Sequence, residues 1–242
     1  MIFEHKTVFI SGANRGIGKA LVAALLQRGA EKVYAAARNT ATIADYGDTR
    51  VVPVALDITH PDQVRAAAEM AADTDILINN AGAATYASAM SGSLDDAKRD
   101  MDINCFGTLD MMRAFVPVLE SKSDGAIVNV VSIAAFVNFP FLGGYSASKA
   151  ALFSLTQGAR LELAAKGIAV HSVNPGPIDT DMTKDIAMDK TSPDVTARAI
   201  LDGLQAGQLD FSPDPTGQTM FETWRKDYRA LEGMVADMMA GA

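Results

Sequence analysis

The sequence predicts an α/β fold in which a doubly wound, mostly parallel sheet of about seven strands lies between two layers of helices. Short β-branched runs alternate with longer helical patterns along the chain. These runs are almost continuously apolar, as is typical of strands covered on both faces. A glycine-rich turn follows the first run directly. Since right-handed crossovers bring the carboxyl ends of parallel strands to one edge, we expect a ligand site there.

Six apolar runs predict the principal strands, and a seventh, shorter strand is predicted in the stretch LDFS. Each is separated from the next by a segment long enough for a crossover helix. The six runs are 7–11, 32–37, 51–56, 75–79, 126–132 and 168–173. The order strand, helix, strand predicts a three-layer αβα arrangement of the Rossmann-like kind.

One domain over residues 1–242 is the simplest organisation, because no linker, repeat or low-complexity tract interrupts the alternation. Three prolines lie between residues 175 and 194, where periodicity is weak. We therefore expect a mobile substrate segment at about 177–194. A helical pattern at about 216–239 predicts a closing C-terminal helix.

The composition excludes several classes of partner. Hydrophobic residues make up 49% of the chain, enough for a buried sheet, and the net charge of −8 disfavours nucleic acids and anionic membranes. No stretch reaches the roughly 18 apolar residues that a membrane span needs.

Cys105 is the only cysteine, and no signal-peptide pattern opens the chain, so we expect a cytoplasmic protein. The three histidines lack ligand-like spacing, so no metal is expected, and His171 is interpreted as a packed, hydrogen-bonded residue.

The stretch SGANRGIG after the first strand predicts a dinucleotide phosphate site. Gly12, Gly16 and Gly18 open a helix, where glycine permits a tight turn, close backbone approach and close helix packing. The amides at the start of the helix then bind phosphate. Glycine turns also occur for purely structural reasons, and that alternative stays open at this point. The candidate cofactor-binding residues in this loop are Gly12, Asn14, Arg15, Gly16, Ile17 and Gly18.

The end of the second strand predicts NADP(H) rather than NAD. An acidic residue there holds the ribose 2′-hydroxyl of NAD, whereas this chain has Ala37 followed by Arg38. Arg15 lies in the glycine loop, and two guanidinium groups near one phosphate give charge-assisted hydrogen bonds. The alternative is that Arg38 is a solvated loop residue.

The stretch YSASK predicts an acid/base pair. Tyr145 and Lys149 are four residues apart, so they share one helix face. Lowering the pKa of a phenol from near 10 to about 7 needs about 4 kcal/mol of preferential phenolate stabilisation, to which a nearby ammonium contributes. We therefore expect Lys149 to lower the pKa of Tyr145. Taken alone, such a pair is more often a solvated helix face.

Several ordered motifs together resemble the single-domain short-chain dehydrogenases/reductases, up to about residue 182. SGANRGIG is similar to the glycine loop of that family, with Ser11 in place of threonine. NNAG at 79–82 follows the fourth strand, YSASK matches the Tyr and Lys, and NPGPIDT at 174–180 matches the Pro-Gly element.

This resemblance implies the remaining site residues. Ser132 would bind the substrate oxygen, and Asn104 would complete a catalytic tetrad through a water next to Lys149, although a strand-end serine is often a cap and a helical asparagine often faces solvent. Lys149 would also hold the nicotinamide ribose. Asp57 has a structural alternative as a cap of the helix that starts at Pro61. The further implied cofactor contacts are Asp57, Ile58, Asn79, Ala81, Gly82, Tyr145, Pro175, Gly176, Ile178 and Thr180.

The resemblance implies reversible hydride transfer between nicotinamide and a ketone or secondary alcohol, with Tyr145 as the acid/base. A reductase of 3-oxoacyl thioesters on acyl carrier protein is an alternative, against which the net charge argues. A non-catalytic NADP-binding redox sensor is a second. The family also implies a homodimer or homotetramer, formed through helices at about 95–120 and 145–166.

Apolar side chains near the expected hydride site predict a cleft for a hydrophobic substrate, or else ordinary packing. They are Phe136, Phe139, Phe141, Ile178, Met182, Ile186 and Met188. Trp224, Met238 and Met239 in the closing helix would cover this cleft or a neighbouring subunit.

Overall fold

The computed structural model describes residues 1–240 and contains a seven-stranded, all-parallel sheet in the order β3-β2-β1-β4-β5-β6-β7. Helices flank it on both faces, so the predicted doubly wound α/β fold is confirmed. The strands are β1 Thr7–Ser11, β2 Lys32–Ala37, β3 Val51–Ala55, β4 Ile76–Asn79, β5 Ala126–Val130, β6 Ala169–Val173 and β7 Asp210–Phe211. The predicted runs differ from these bounds mainly by one or two residues at the strand ends.

Eight α-helices follow the strands within residues 1–240. They are α1 Gly16–Gln27, α2 Pro61–Met70, α3 Leu94–Met101, α4 Thr108–Leu119, α5 Gly143–Leu163, α6 Pro193–Gln205, α7 Pro215–Lys226 and α8 Tyr228–Ala240. A π-helical turn, Asp102–Gly107, joins α3 to α4. None of these helices is long and apolar enough to cross a bilayer.

The sheet forms the centre of two hydrophobic layers. Adjacent residues of β1 face opposite sides, so Ile10 packs with α1 and α6 while Phe9 packs with α2 and α4. Both side chains are fully buried. This alternation explains why the strands read as continuous apolar runs.

The direction of winding reverses at β1, which pairs with β2 on one side and β4 on the other. The loops that follow β1 and β4 therefore leave the same edge side by side. Ser11 Oγ accepts hydrogen bonds from the backbone amides of Asn80 and Ala81, each at 3.1 Å. Ligands bind at such a reversal because the two diverging loops leave a crevice between them.

The edge strand β3 carries a proline in its middle. Pro53 stands opposite Ala35 of β2, and Leu56 donates inward to the carbonyl of Ala37. Because inward donation alternates along a strand, the nitrogen of Pro53 faces away from β2. The missing N–H therefore costs the sheet no hydrogen bond.

The helical stretch expected at 216–239 is two helices in the structure, not one. Asp227 is extended, with φ −157° and ψ 105°, and ends α7. Its carboxylate accepts from the amide of Arg229 at 2.9 Å and starts α8. The break is invisible in the hydrophobic pattern because both helices keep apolar positions, with Met220 of α7 and Leu231 of α8 buried against the turn after β5.

Truncation of Leu25 tests the layer between α1 and the sheet. Leu25 is fully buried, so Leu25→Ala is expected to lower the free energy of unfolding by about 3 kcal/mol through lost burial and a cavity. Leu209→Ala, at a position that is 47% exposed, is the matched control, with an expected change below about 1 kcal/mol. Urea denaturation of both variants gives the comparison, and equal losses would contradict this packing.

Candidate active site

A cleft of about 1290 Å³ opens at the carboxyl edge of the sheet, where the loops after β1 to β6 meet. Most of the residues that the sequence predicts for the site line it, in the order in which the strands present them. They are Gly12, Asn14, Arg15, Gly16, Ile17, Arg38, Asp57, Ile58, Ala81, Gly82, Ser132, Tyr145, Lys149, Pro175, Gly176, Ile178 and Thr180. Gly18, Asn79 and Asn104 are not among the lining residues.

The glycine loop has the backbone geometry of a phosphate cradle. Gly12 and Gly16 are left-handed, with φ of 67° and 52°, and a Cβ on Gly12 would lie 2.8 Å from the Cα of Ala81. Helix α1 begins at Gly16, and Arg15 before it makes no capping bond with its side chain. The first amides of α1 therefore face the cleft with their positive dipole end. Gly18 has the packing role, since a Cβ there would overlap the carbonyl oxygen of Gly12.

For Asn79 the structure differs from the prediction. Its side chain is buried between strands and donates to Asn129 Oδ1 at 2.9 Å, because successive residues of β4 alternate between faces. The next residue, Asn80, lines the cleft and donates to the carbonyls of Ser11 and Gly12 at 3.1 and 2.9 Å. Asn80 thus holds the glycine loop, and only the strand register separates it from Asn79.

One end of the cleft is basic and polar. Arg15 and Arg38 line it, together with Asn39 and Thr42, which sequence reasoning missed. Asn39 accepts from the amide of Ala41 at 3.0 Å and thereby starts a short 3₁₀ turn. Arg15 also forms an exposed ion pair with Asp181 at 3.3 Å.

Asp57 lies at the cleft and does not cap helix α2. It lines the cleft, and its carboxylate accepts from the amide and hydroxyl of Thr59 at 3.0 and 2.7 Å. Burial opposes ionisation, but these hydrogen bonds and the nearby charges of His60 and Arg38 hold the pKa of Asp57 below its ordinary value. The residue at the N-cap of α2 is His60.

At the other end of the cleft, Tyr145, Lys149 and Ser132 lie together. The first turns of α5 carry Tyr145 and Lys149, and Ser132 follows β5. Lys149 Nζ is 5.8 Å from the centre of the Tyr145 ring and donates to the carbonyl of Val130 at 2.9 Å. Ser132 Oγ accepts from the amide of Ala134 at 3.1 Å, which orients the hydroxyl.

The pKa values of this pair differ from the sequence expectation. Burial raises the pKa of Tyr145 to about 12, a hydrogen bond with Ser132 opposes that rise, and the charges of Tyr86 and Asp100 add to it. Burial also lowers the pKa of Lys149 to about 8. The expected lowering of the Tyr145 pKa is therefore wrong for the chain by itself. The main reason is burial of the phenol, and the hydrogen bond that Lys149 donates goes to the carbonyl of Val130.

Asn104 is fully buried in the π-helical turn. Its amide donates to the carbonyl of Ala83 at 2.8 Å and to Ser148 Oγ at 2.9 Å, while its carbonyl accepts from the amide of Ala83 at 3.0 Å. A Cβ on Gly82 would lie 3.1 Å from Asn104 Oδ1 and 3.6 Å from Lys149 Nζ. Asn104 and Lys149 thus flank Gly82 without direct contact. Such π-turns are frequent at functional sites.

The aromatic residues after β5 pack against one another and against α7, and they do not form the wall of the cleft. Phe136 stacks on Trp224 with ring centres 4.3 Å apart, and Phe139 is buried in the same cluster. Of the apolar residues expected near the hydride site, Ile178 and Met182 line the cleft. The side chain of Tyr86 also lines it, stacks parallel to Phe141 and donates to the carbonyl of Met182.

Other sequence predictions concern residues away from the cleft. His171 is buried, and its Nδ1 lies 2.7 Å from the carbonyl oxygen of Gln208, as expected for a packed histidine. Met238 and Met239 are 40% and 42% exposed. The positions of Tyr86 and Asn39 have no motif of their own, so the sequence offers only their closeness to NNAG and to Arg38 as a signal.

Comparison with known proteins places the chain in a family. The short chain dehydrogenase model matches residues 6–191. An uncharacterised oxidoreductase from Staphylococcus saprophyticus is 32% identical over 216 residues, which cover 84% of this chain and 92% of that protein. This chain therefore belongs to the short-chain dehydrogenase family and is an oxidoreductase.

Solved structures agree in fold. A short chain dehydrogenase from Burkholderia cenocepacia J2315 in complex with NADP is 41% identical, with a TM-score of 0.92 and coverage of 97% of this chain and 99% of that one. A 3-ketoacyl-(acyl-carrier-protein) reductase from Brucella melitensis, complexed with NADH, is 26% identical with a TM-score of 0.79, covering 87% and 98%.

The low pKa of Lys149 makes a prediction about stability. The pKa of Lys149 in the folded chain, about 8, lies below the ordinary 10.5. Below pH 8 the buried cation therefore lowers the free energy of unfolding by its full amount, and this loss disappears as the pH rises towards 10.5. Lys149→Met removes this term. The stability advantage of the variant over the wild type is expected to shrink by about 2 kcal/mol between pH 7 and pH 10.

Urea denaturation of both proteins at several pH values measures that difference. Lys122→Met is the control, because Lys122 bonds only to the backbone carbonyl of Asp73 at the surface. A constant difference between Lys149→Met and the wild type would contradict the depressed pKa.

Proposed function

We propose that this protein catalyses reversible, NADP(H)-dependent hydride transfer between nicotinamide and a ketone or secondary alcohol, with Tyr145 as the acid/base. One observation carries the proposal. A single cleft has two arginines at one end and, at the other, a partly buried tyrosine with a buried lysine and serine. A dinucleotide is long enough to link two such ends, and the solved relative from Burkholderia cenocepacia holds NADP.

The residues of the cleft fit this cofactor. The cradle formed by Gly12, Gly16 and the first amides of α1 suits the pyrophosphate. Arg15 and Arg38 suit the 2′-phosphate by charge-assisted hydrogen bonds. We assign the nicotinamide end to the loop after β6, at Ile178 and Thr180, and the ribose to Lys149. When bound, NADP(H) donates or accepts the hydride at the nicotinamide C4.

The chain itself orients the carbonyl and moves the proton. Ser132 and Tyr145 bind the carbonyl oxygen with their hydroxyls, which stabilises the charge that develops there. Tyr145 donates its proton to this oxygen as the hydride reaches carbon, and the product is the alcohol. The raised pKa of Tyr145 keeps the hydroxyl protonated at neutral pH, which is the form that reduction needs. In the reverse direction Tyr145 accepts the proton, and the Lys149 cation favours that step.

The substrate class is a small carbonyl compound or alcohol, and a hydrophobic one is our first choice. Ala83, Ala84 and Met182 give the catalytic end apolar walls. The rival substrate, a 3-oxoacyl thioester on acyl carrier protein, is favoured by the Brucella melitensis relative. A net charge of −8 disfavours docking of an acidic carrier. The redox-sensor alternative is weakened because Asn104, Ser132, Tyr145 and Lys149 are all present.

We further propose a homodimer or homotetramer, since Phe106 and Leu161 are 54% and 81% exposed beside α4 and on α5.

The segment 177–194 is proposed to move over the substrate. The Tyr86 hydrogen bond and the Arg15 ion pair join this segment to the loops after β4 and β1. Cys105 is buried and unpaired, which supports a reducing cytoplasm as the compartment.

Activity is tested by following NADPH and NADH oxidation at 340 nm with aliphatic, aryl, bicyclic and thioester carbonyls, including an acyl carrier protein substrate. Faster turnover of free ketones with NADPH supports the proposal. Activity confined to the carrier-bound thioester would favour the rival substrate.

Tyr145→Phe tests the acid/base assignment. Removal of the phenolic proton is expected to lower kcat by about 1000-fold, the usual contribution of general acid catalysis together with lost orientation. NADPH affinity, measured by the fluorescence of the bound cofactor, is expected to stay within about twofold. Tyr46→Phe is the control, because Tyr46 bonds only to the carbonyl of Lys19. Full ketone reduction by Tyr145→Phe would refute the assignment.

Arg38→Ala tests cofactor choice. The loss of a charged hydrogen bond to the 2′-phosphate is expected to weaken NADPH binding by about 10- to 100-fold, with little change in NADH binding. Arg65→Ala is the matched control, since Arg65 pairs with Asp62 on the surface of α2. Titration of each variant with both cofactors gives the ratio, and an unchanged preference would contradict the role of Arg38.

A further inference from the structure

One buried carboxylate beside the active site has no part in the mechanism described above. Asp100 is the only buried residue of α3, a helix with the otherwise charged and exposed sequence LDDAKRDM. Its side chain is fully shielded from solvent. Burying a carboxylate is costly unless hydrogen bonds compensate. Asp100 forms no ion pair with any of the described residues, so hydrogen bonds must compensate for its burial.

The bonds of Asp100 all lead to the loop after β4. Its Oδ1 accepts from the amide of Thr85 at 3.0 Å and from the hydroxyl of Thr85 at 3.1 Å. Four residues later in the chain, Asn104 binds both the amide and the carbonyl of Ala83. Two polar side chains of one helical run therefore fix alternate residues of the same loop.

The other carboxylate oxygen faces the start of the catalytic helix. A Cβ on Gly144 would lie 3.1 Å from Asp100 Oδ2 and 2.8 Å from the Cα of Ala97. Helices α3 and α5 thus lie in close contact one residue before Tyr145. The amide of Gly143 also donates to the carbonyl of Ala87 at 2.9 Å. The loop is consequently clamped between α3 and the first turn of α5.

The residue after Thr85 belongs to the cleft. Tyr86 projects into it and donates to the carbonyl of Met182, in the segment proposed to cover the substrate. A shift of Thr85 would therefore move the wall of the substrate pocket relative to Tyr145. Misplacement of about 1 Å in such a wall lowers catalysis about 100-fold.

We propose that Asp100 is a positioning residue for the reaction, which fixes Thr85, and through it Tyr86, so that the substrate carbonyl meets Tyr145 and Ser132. This inference rests on the proposed function. The ionised carboxylate is the form that accepts both bonds from Thr85, whereas a protonated acid loses part of that capacity.

The electrostatic surroundings give the inference a pH signature. Burial raises the pKa of Asp100, hydrogen bonds from Thr85 and the charge of Arg99 oppose the rise, and the charge of Asp96 adds to it. The negative charge of Asp100 also raises the pKa of Tyr145 on α5. As pH falls, Asp100 takes up its proton earlier than an ordinary carboxyl, and kcat/KM for the ketone is expected to fall with it.

Asp100→Asn is the principal test, because it keeps the shape and removes the charge. The expected result is a loss of about 10- to 100-fold in kcat/KM for the ketone, without the acid limb of the wild-type profile, and with NADPH affinity within about twofold of wild type. Asp96→Asn is the matched control on the same helix and is expected to keep the wild-type kcat/KM at neutral pH, with its acid limb at lower pH, because a charge that raises the pKa of Asp100 is removed. An Asp100→Asn enzyme with kcat/KM within twofold of wild type at every pH would overturn the proposal.

Variants of Thr85 decide the case if Asp100→Asn fails to fold. Thr85→Val removes only the hydroxyl bond and is expected to lower kcat/KM by about 5- to 10-fold, while Thr85→Ser keeps the hydroxyl and is expected to restore it. Loss of NADPH affinity and thermal stability in proportion to activity would indicate a general structural role and overturn the proposal.

Hydrogen exchange separates this inference from the proposed function. In Asp100→Asn, the amides of residues 83–88 are expected to exchange faster, while those of the glycine loop do not change. If the wild type reduces no carbonyl compound, the proposed function fails. Exchange at residues 83–88 that is the same in Asp100→Asn and the wild type would, independently, contradict the role of Asp100 in fixing this loop. If the wild type is active and Asp100→Asn matches it in rate and exchange, only the inference about Asp100 fails.

Discussion

The close approach of two backbone segments, the glycine loop after β1 and the loop after β4, is the constraint on which the rest of this site depends. Ser11 Oγ receives two amides from the second loop, and Asn80 returns hydrogen bonds to two carbonyls of the first. A side chain at Gly12 would force the loops apart. Because both loops leave the sheet at the reversal of winding, this contact fixes the cofactor cradle against the wall that leads to Tyr145.

Burial around Tyr145 and Lys149, the proposed catalytic pair, shifts the two pKa values in opposite directions. It disfavours the phenolate of Tyr145 and the ammonium of Lys149. In the chain alone, the phenol therefore keeps its proton, and the amine of Lys149 binds its proton less tightly. The cost to stability at neutral pH comes from Lys149, whose ammonium is desolvated, whereas the protonated phenol of Tyr145 carries no charge. Burial leaves Tyr145 poised as a donor, and it makes proton acceptance depend on groups that approach the phenolic oxygen.

Much of the fold could be predicted from the sequence, because periodicity and glycine placement are local signals. The seven strands and the cleft-lining loop residues follow from such patterns, and the end of β2 placed Arg38 correctly at the cleft. What failed needed three-dimensional information. The choice between Asn79 and Asn80 depends on strand register. The hydrogen-bond partner of the Lys149 amine depends on residues that are distant in sequence. The break between α7 and α8 depends on a single capping bond of Asp227. Asp100 was missed because a charged helix gives no sign of which carboxylate is buried.

The proline in β3 has a consequence for the behaviour of the molecule in crowded solution. An exposed sheet border is a template on which a foreign strand can add, and growth of that kind leads to insoluble fibres. At the centre of this border Pro53 offers no donor, and its ring obstructs an incoming chain. This edge of the sheet therefore ends in a strand that pairs with β2 and whose centre disfavours pairing with another polypeptide.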